Sequence, residues 1–281
     1  MTALTLTLTA DLDFDLDLAG VTPDGLQGLK ADKLRRHRVP YGRRLVALGD
    51  FFEIGGALDT GDVEIRNATA KLTRIGAGMA NGTLAVKGSV GNACGAGMSG
   101  GVLRIQGSAG DYLGAAMRGG LIDVSGNVGA FVGGGLAGTT VGMKNGTILV
   151  GGNAGDRLGD RMRRGLVVVT GGAGAYAGCN MLAGTLVLLG STGTGLGSGM
   201  RRGSILLAQE PEHVLPTFTS TGTFNLAILP VMTRHLVALK RSLKSKLEPF
   251  TEARRIVGDS ACGGMGELLV AAPAKPRRSR R

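Results

Sequence analysis

The sequence predicts an all-β protein, a single-stranded parallel β-helix (a solenoid of 19-residue coils) with an N-terminal cap and a C-terminal helix. The first observation is a repeat that runs from Met79 to Leu207. Glycines stand 3, 9, 12 and 16 residues after every opening methionine but the last, and apolar residues stand at the fifth and seventh positions. The second observation is the period itself, which is too short for two packed helices, so each copy is expected to form one coil. The copies open at Met79, Met98, Met117, Met143, Met162, Met181 and Met200.

The glycines have a structural reason in such a fold. The corners of a coil need backbone at positive φ, or backbone close to the next coil, and glycine permits both at low cost. About eight coils are expected over residues 57–208, at the ~4.8 Å spacing of neighbouring strands. The extra residues 137–142 are expected to bulge outward as a loop. Stacking should place one inward column at Val86, Ile105, Val124, Ile148, Val169 and Leu188.

Other short repeats do not fit the pattern. A leucine-rich repeat needs several leucines and an asparagine per copy, and the calcium-binding nonapeptide needs an aspartate that is missing where Tyr176 stands. A hexapeptide helix requires a multiple of six, and collagen requires glycine at every third position. The parallel β-helix remains.

The segments on either side of the repeat complete four predicted parts: 1–56, an N-terminal strand and capping segment; 57–208, the β-helix; 209–270, a C-terminal segment with an amphipathic helix; and 271–281, a basic tail. In the first part, Leu4, Leu6, Leu8, Leu12, Phe14, Leu16 and Leu18 alternate with polar residues, among them Asp11, Asp13, Asp15 and Asp17. A strand there would cover the open edge of the solenoid. In the third part, a helical stripe follows Pro230 and ends at Pro249; it is expected to pack on its own solenoid or on a neighbour. Its members are Met232, Leu236, Leu239, Leu243 and Leu247.

Composition restricts the partners. The formal net charge is +11, but five of these charges lie in the tail, at Lys275, Arg277, Arg278, Arg280 and Arg281. Aromatic residues make up only 4% of the chain, so few rings are available to stack on bases, and no nucleic acid is expected. No signal peptide and no apolar stretch of spanning length are recognised, so the prediction is a cytoplasmic protein without a membrane partner.

Residues that carry chemistry are sparse. Cys94, Cys179 and Cys262 are far apart, so neither a zinc site nor a disulfide framework is indicated. His37 and the two other histidines lack metal-ligand spacing, and no serine stands in a nucleophile elbow. We therefore predict no catalytic residues, no metal-binding residues and no cofactor in this chain. The charged run Asp156, Arg157, Asp160 and Arg161 is interpreted as a surface ion-pair ladder.

A family resemblance rests on specific residues. The coil motif Gly-x-x-Gly-x-x-x-Gly is similar to the glycine-rich β-helix shared by the C-terminal domain of the large glutamate synthase subunit and the C subunit of formylmethanofuran dehydrogenase. The segments on either side of the repeat resemble this C subunit, and the chain is similar to it nearly end to end. The motifs that carry this resemblance are Val39-Pro40-Tyr41-Gly42, the LGDFFEI run at 48–54, Val257-Gly258-Asp259 and the Gly-Gly-Met-Gly-Glu-Leu-Leu-Val run at 263–270. The tail past residue 272 lies outside the resemblance.

The resemblance implies a subunit of a hetero-oligomeric enzyme complex whose chemistry is carried by other subunits. One setting is a bacterial formyltransferase/hydrolase complex, which moves a formyl group from formyl-tetrahydromethanopterin to a methanofuran-type carrier and hydrolyses it to formate. Arginine-, alanine- and glycine-rich composition favours this setting. The alternatives are the C subunit of a molybdenum or tungsten formylmethanofuran dehydrogenase, and a stand-alone β-helix binding module.

One surface feature follows from the repeat register. The two positions after each methionine carry cations in several copies, so stacking predicts a basic ridge along one corner of the solenoid. This ridge is either solvated and relieved by Asp156 and Asp160, or bound to an anion. The resemblance supplies two anions: an acidic partner surface and the carrier, whose family has a glutamate-rich tail. The candidate contacts are Arg118, Lys144, Arg163, Arg164, Arg201 and Arg202.

Overall fold

Strands dominate the computed structural model, which describes residues 3–56, 61–247 and 250–272. In chain order the elements are β1 (Leu4–Leu8), β2 (Leu16–Asp17), α1 (Ala31–Arg35), β3 (Arg38–Tyr41), β4 (Arg44–Ala47), β5 (Phe52–Gly55), β6 (Asp62–Ala68), β7 (Leu72–Thr73), β8 (Thr83–Gly88), β9 (Val102–Gln106), β10 (Leu121–Val124), β11 (Thr147–Val150), β12 (Leu166–Val169), β13 (Thr185–Leu188), β14 (Arg202–Leu207), β15 (Thr219–Phe224), α2 (Ile228–Leu239), α3 (Lys244–Leu247), β16 (Glu252–Gly258) and β17 (Met265–Ala272). Short 3-10 turns lie at Leu48–Asp50, Arg241–Leu243 and Ser260–Cys262. The predicted all-β class is confirmed.

One large sheet organises the molecule. Within the described residues it has 13 strands in the order β15-β16-β17-β14-β13-β12-β11-β10-β9-β8-β6-β1-β5. The strands from β1 through β6 and β8–β14 to β17 run parallel, and antiparallel pairs occur only towards the two ends. A second sheet, β4-β3-β2-β7, lies at the N-terminal end.

Neighbouring strands of the repeat pair at equivalent positions, with one correction to the expected column. Val86 lies opposite Ile105, and Ile105 opposite Val124, as the period predicts. Val124 then pairs with Val150, not with Ile148. The assignment of Ile148 to this column was wrong by two residues along the strand. The column takes the seventh residue after each methionine, which is Val150 after Met143, whereas Ile148 is the fifth. Ile148 is also buried, in the adjacent column opposite Ile122.

Two further lines of stacked residues complete the core. The seven opening methionines are all fully buried. Single-residue parallel bridges form a second ladder beside the strands, linking Val90, Ala109, Val128, Ala154, Ala173 and Thr192 in turn. Each repeat therefore contacts the next along at least two separate lines. The extra residues of the copy that opens at Met117 interrupt neither the strand pairing of β10 with β11 nor the single bridge between Val128 and Ala154.

The N-terminal segment joins the large sheet. β1 pairs parallel with β6 and antiparallel with β5, so it covers the edge of the first repeat strand. Its alternating leucines are buried, as expected. Phe14 was expected on the same apolar face, but its side chain is 61% exposed and its ring packs edge-on against Tyr41. The residue lies between β1 and β2, where the strand alternation is interrupted.

The outer face of the large sheet changes character along its length. In the column between the two inward positions, Glu64, Ala85, Arg104 and Asp123 are followed by apolar residues. These apolar residues form a second buried cluster with α2 and the segment after it, which confirms that this helical segment packs on its own chain. The outward members of the cluster are Leu149, Val168, Val187, Leu206 and Leu269.

The helical stripe is not one helix. α2 begins at Ile228, so Pro230 lies in its first turn, where a missing N–H is tolerated. α2 ends at Leu239 because Lys240 is extended (φ −148°, ψ 101°), and a 3-10 turn then leads into α3. Lys240 Nζ lies 2.7 Å from Asp123 Oδ1, which ties the helix end to the last polar residue of the outward column. The predicted stop at Pro249 lies outside the described residues.

Candidate functional site

The predicted basic ridge lies on the corner just before strands β10 to β14. All six of its side chains are exposed. Arg118 and Lys144 precede β10 and β11, Arg163 and Arg164 precede β12, and Arg201 and Arg202 lie at the start of β14.

Backbone hydrogen bonds hold the ridge in register. The N–H of Arg118 donates to Met98 O at 2.7 Å, and the N–H groups of Lys144, Arg163 and Arg201 donate in the same way to the methionine of the preceding repeat, at 2.7 to 2.8 Å. Unit charges ~5 Å apart repel by about 0.8 kcal/mol in water, before salt screening. The intervening repeat carries Leu182 at this position, so the ridge has a gap between Arg163 and Arg201.

The two aspartates that were expected to relieve this repulsion serve other partners. Asp160 is 1% exposed, and its Oδ1 accepts from Cys179 Sγ (3.2 Å) and Asn180 Nδ2 (3.4 Å). Arg161 Nε lies 3.1 Å from Asp160 Oδ2, but this contact does not have hydrogen-bond geometry. Asp156 Oδ1 accepts from the N–H of Ala175. Within the described ranges, neither aspartate forms an ion pair with a ridge cation.

Of the surface ion-pair ladder expected over residues 156–161, the structure contains one pair, Arg161–Asp160, and its carboxylate is buried. Gly135 N–H donates to Asp160 O, and the Arg161 guanidinium donates to Thr139 O. The insertion thus packs against the corner of the next repeat, where Gly142 N–H also donates to Arg161 O. Within the insertion 137–142, residues 137, 138 and 140 are exposed, as predicted for a loop, whereas Gly142 is buried.

Arg157 belongs to a stacked column that the sequence reasoning missed. Its guanidinium carbon lies 5.8 Å from the ring centre of Phe131 and 5.6 Å from that of Tyr176. The rings of Phe131 and Tyr112 stack at 4.9 Å with an interplanar angle of 6°. All four residues have positive φ, between 56° and 61°. A signal was available, because Arg157 and Tyr176 each stand five residues before the methionine that opens the next copy.

A cleft of about 550 Å³ lies in the gap of the ridge. Arg161 and Arg201 bring guanidinium groups to it, Asn180 an amide, and Leu182 an apolar surface. The volume is in the range of small-ligand sites, roughly 300–1,000 Å³. Guanidinium groups bind carboxylates through charge-assisted hydrogen bonds, and the guanidinium of Arg161 already lies beside the Asp160 carboxylate. Its lining residues are Thr140, Val141, Arg161, Asn180, Leu182, Gly199, Arg201 and Cys262.

Asp259 anchors the turn that closes this cleft on the C-terminal side. Its Oδ2 accepts from the N–H of Gly199 (3.0 Å) and its Oδ1 from the N–H of Ala261 (3.0 Å). Burial by itself would raise the pKa of Asp259, but the N–H of Gly199, the side chain of Thr217 and the N–H of Ala261 together outweigh it and hold the pKa below its ordinary value. The ionised carboxylate therefore fixes residues 260–262 beside Arg201.

The two buried thiols are poorly suited to nucleophilic chemistry. Burial raises the pKa of Cys94 to about 12, and burial together with the Asp160 carboxylate raises the pKa of Cys179 to about 12. Cys262 is exposed at the cleft. In the part of the chain that the structure describes, no three His, Cys, Asp or Glu residues come together as a metal site would require. Nor does any described helix have the length and apolar character needed to cross a membrane.

Comparisons with known proteins agree with this architecture. The family model of the GXGXG motif matches residues 78–253. The C subunit of the formyltransferase/hydrolase complex Fhc of Methylorubrum extorquens is 41% identical over 76 residues, a match that spans 27% of this chain and 28% of that protein. A chain in the crystal structure of the formyltransferase/hydrolase complex FhcABCD from Methylorubrum extorquens, in complex with methylofuran, is similar with a TM-score of 0.88 and 38% identity. That match covers 95% of this chain and 99% of the other. This chain therefore belongs to the GXGXG-motif family and, within it, to the family of the C subunit of the formyltransferase/hydrolase complex.

Proposed function

We propose that the chain is a non-catalytic structural subunit of a formyltransferase/hydrolase complex in tetrahydromethanopterin- and methanofuran-linked one-carbon metabolism. The observation that carries the proposal is the similarity over 95% of the chain to a chain of FhcABCD. The hydrogen bonds of its reactive side chains support the non-catalytic role. Cys179 donates a hydrogen bond to Asp160, and Glu267 accepts hydrogen bonds from Ser204 and Arg255. The cytoplasmic location and the division at residues 56, 208 and 270 stay predictions.

We also propose that the repeats are coils of a single-stranded parallel β-helix. Support comes from the two ladders, one of strands and one of single bridges, which both step by one repeat at a time. The turns between the ladders also bond at equivalent positions, for example Arg163 N–H to Met143 O. A fold of this kind presents a long rigid wall, which suits a subunit that positions enzymes relative to one another.

The ridge and its cleft are the proposed contact for an anion. The solved relative complex holds methylofuran, and a carrier of that type with an acidic tail fits the cationic side of the cleft at Arg201. In this proposal Arg201 and the other exposed ridge cations bind the tail and raise its local concentration. An acidic surface of a partner subunit is the second occupant to be tested, and tetrahydromethanopterin would serve the other subunits.

Purification decides the structural role. The native complex should contain formyltransferase and hydrolase subunits and turn over, whereas the chain purified alone should show no formyl transfer and no formyl hydrolysis. Removing the chain should dissociate or destabilise the partner enzymes, because permanent interfaces bury more than ~2,000 Å². Turnover by the isolated chain would overturn the proposal. Molybdenum or tungsten in the native complex would favour the dehydrogenase alternative.

The ridge is tested by charge removal in the complex. Replacing Arg163, Arg164, Arg201 and Arg202 with glutamine should leave assembly intact and raise the apparent KM for methylofuran at low salt, with a smaller effect at high salt. The matched control replaces four exposed cations outside the ridge, Arg36, Arg241, Lys244 and Lys246, with glutamine. An intact complex with unchanged KM would show that the ridge binds neither the carrier nor a partner. Loss of a partner subunit would identify that partner as the occupant.

A further inference from the structure

The edge strand β15 has an open side. β15 pairs antiparallel with β16 and, within the described residues, has no second neighbour in the sheet. All six of its residues, Thr219–Phe224, are exposed. In an antiparallel pair the residues alternate between bonding to the neighbour and pointing their N–H and C=O groups away. The outer side of β15 therefore presents a row of backbone donors and acceptors.

This edge lacks most of the devices that keep sheets from pairing with other chains. Natural edges are blocked by charged residues, proline, strong bulges or a covering element. β15 has the sequence Thr-Ser-Thr-Gly-Thr-Phe, with no charge and no proline, and only a register shift between Ser220 and Gly222. The strand at the opposite end of the sheet, β5, carries the exposed charge of Glu53. The open edge is thus specific to the C-terminal end.

Exposed apolar side chains follow the edge strand closely in the sequence. Phe224, which ends β15, is 42% exposed, and four residues later α2 begins with Ile228, 55% exposed. Val231 is 60% exposed and lies three residues further on, on the same helix face. Apolar side chains gathered at the surface mark interaction sites when they form a contiguous patch.

We infer that a neutral or acidic β-strand of a partner subunit adds to the outer edge of β15, with apolar side chains over Phe224, Ile228 and Val231. The backbone of the occupant follows from the edge, since only an extended segment presents N–H and C=O groups at the strand repeat. Its charge follows from two observations: the formal net charge is still +6 without the five cations of the tail, and the exposed Arg234 continues the helix face beyond Val231. These charges oppose a second copy of this chain. The inference rests on the proposed function, because it requires the other subunits of the complex.

Hydrogen exchange of the native complex tests the inference directly. Peptides that cover residues 219–224 should show nearly all amides protected, because one set of N–H groups bonds to β16 and the other set to the partner. If only the set bonded to β16 is protected while the complex is whole, the inference is wrong. A complex that lacks formyltransferase and hydrolase subunits would instead contradict the proposed function.

A variant complements the exchange measurement. Replacing Thr219 and Thr223 with glutamate places charges on the edge, opposite Val257 and Arg254. Both positions are exposed, so the chain itself keeps its fold. The yield of one partner subunit should fall about tenfold or more, a change equal to ~1.4 kcal/mol. The matched control, glutamate at the exposed Thr69 and Thr194, should leave the yield unchanged. Equal yields for both variants would contradict the inference. So would β15 protection that appears in a dimer of the chain alone, or that disappears on deletion of residues 273–281.

Discussion

Glycine at position 107 keeps two neighbouring repeats in backbone contact. A Cβ built there would lie 2.4 Å from Gly88 O and 2.5 Å from Gly88 C, while the φ of Gly107 lies outside the left-handed region. Real Cβ atoms are essentially never this close to other atoms. Since the obstructing atoms are backbone, no side-chain rotation relieves the contact, and Gly107→Ala must separate the two repeats or strain both.

The expected loss is about 3 kcal/mol of unfolding free energy, the upper end of ordinary overpacking. A domain of this size loses roughly 2–4 °C in Tm per kcal/mol, so the expected shift is roughly 6–12 °C. Far-UV circular dichroism of the purified chain on heating gives the measurement.

Gly97→Ala is the matched control. Gly97 has φ +67°, but nothing lies within 4 Å of its Cβ position. The equivalent positions in later repeats hold Ala116 (φ 54°) and Asn180 (φ 53°), so an L residue is tolerated there. The expected loss is about 1 kcal/mol, the ordinary cost of the left-handed conformation. Equal Tm shifts for the two variants would refute the contact argument, and a larger shift for Gly97→Ala would show that φ, not contact between repeats, governs these glycines.

Two further predictions concern titratable groups. Hydrogen bonds from Arg66, then Lys87, lower the pKa of Glu64 from 4.5 to about 2, so its contribution to stability is complete above pH 4.5 and is lost as the pH falls towards 2. Urea unfolding of wild type and Glu64→Gln should therefore differ at neutral pH and converge near pH 2; a gap that is the same at both ends would contradict the assignment. Iodoacetamide should modify the exposed Cys262 in the native chain and spare Cys94 and Cys179, whose burial raises the pKa of each thiol to about 12. Peptide mass mapping that finds Cys179 modified as fast as Cys262 would refute that protection.

The period predicts the register of the sheet well, because in a stacked repeat one alignment sets every strand pair. Val86, Ile105 and Val124 pair as the spacing requires. The error at Ile148 came from the insertion, after which the apolar run Ile148-Leu149-Val150 offers no alternation to distinguish inward from outward positions. The offset from Met143 was the reliable guide.

The same apolar runs carried information about the helix. Strands β11 to β13 are buried at three consecutive positions, whereas β10 alternates. A strand that is apolar on both faces must be covered on both faces, so the segment after the repeat had to lie against β11–β14. The end of α2 at Lys240 was not predictable from its apolar spacing, which continues to Leu247.

At the candidate site, sequence register locates the cations but not their environment. The period places Arg163 and Arg201 on one corner, and it also shows Leu182 between them. The cleft depends on the path of the insertion and of residues 259–262, which lie far apart in the sequence and follow no repeat. The partner of Asp160 likewise depends on how the insertion folds back.

The place of β17 in the sheet has a consequence for biosynthesis. β17 is the parallel neighbour of β14 in the sheet, yet the ribosome translates the whole segment that contains β15 and β16 between them. At 5–20 residues per second the ribosome needs roughly 3–12 seconds to translate from the end of β14 to β17. During that time the side of β14 that later pairs with β17 has no neighbour, and this strand contains the apolar residues Leu206 and Leu207. A transcript truncated between residues 208 and 264 would make that state permanent. Chaperones or partner subunits that meet the nascent chain would therefore encounter the strand edge of β14 before the finished C-terminal end exists.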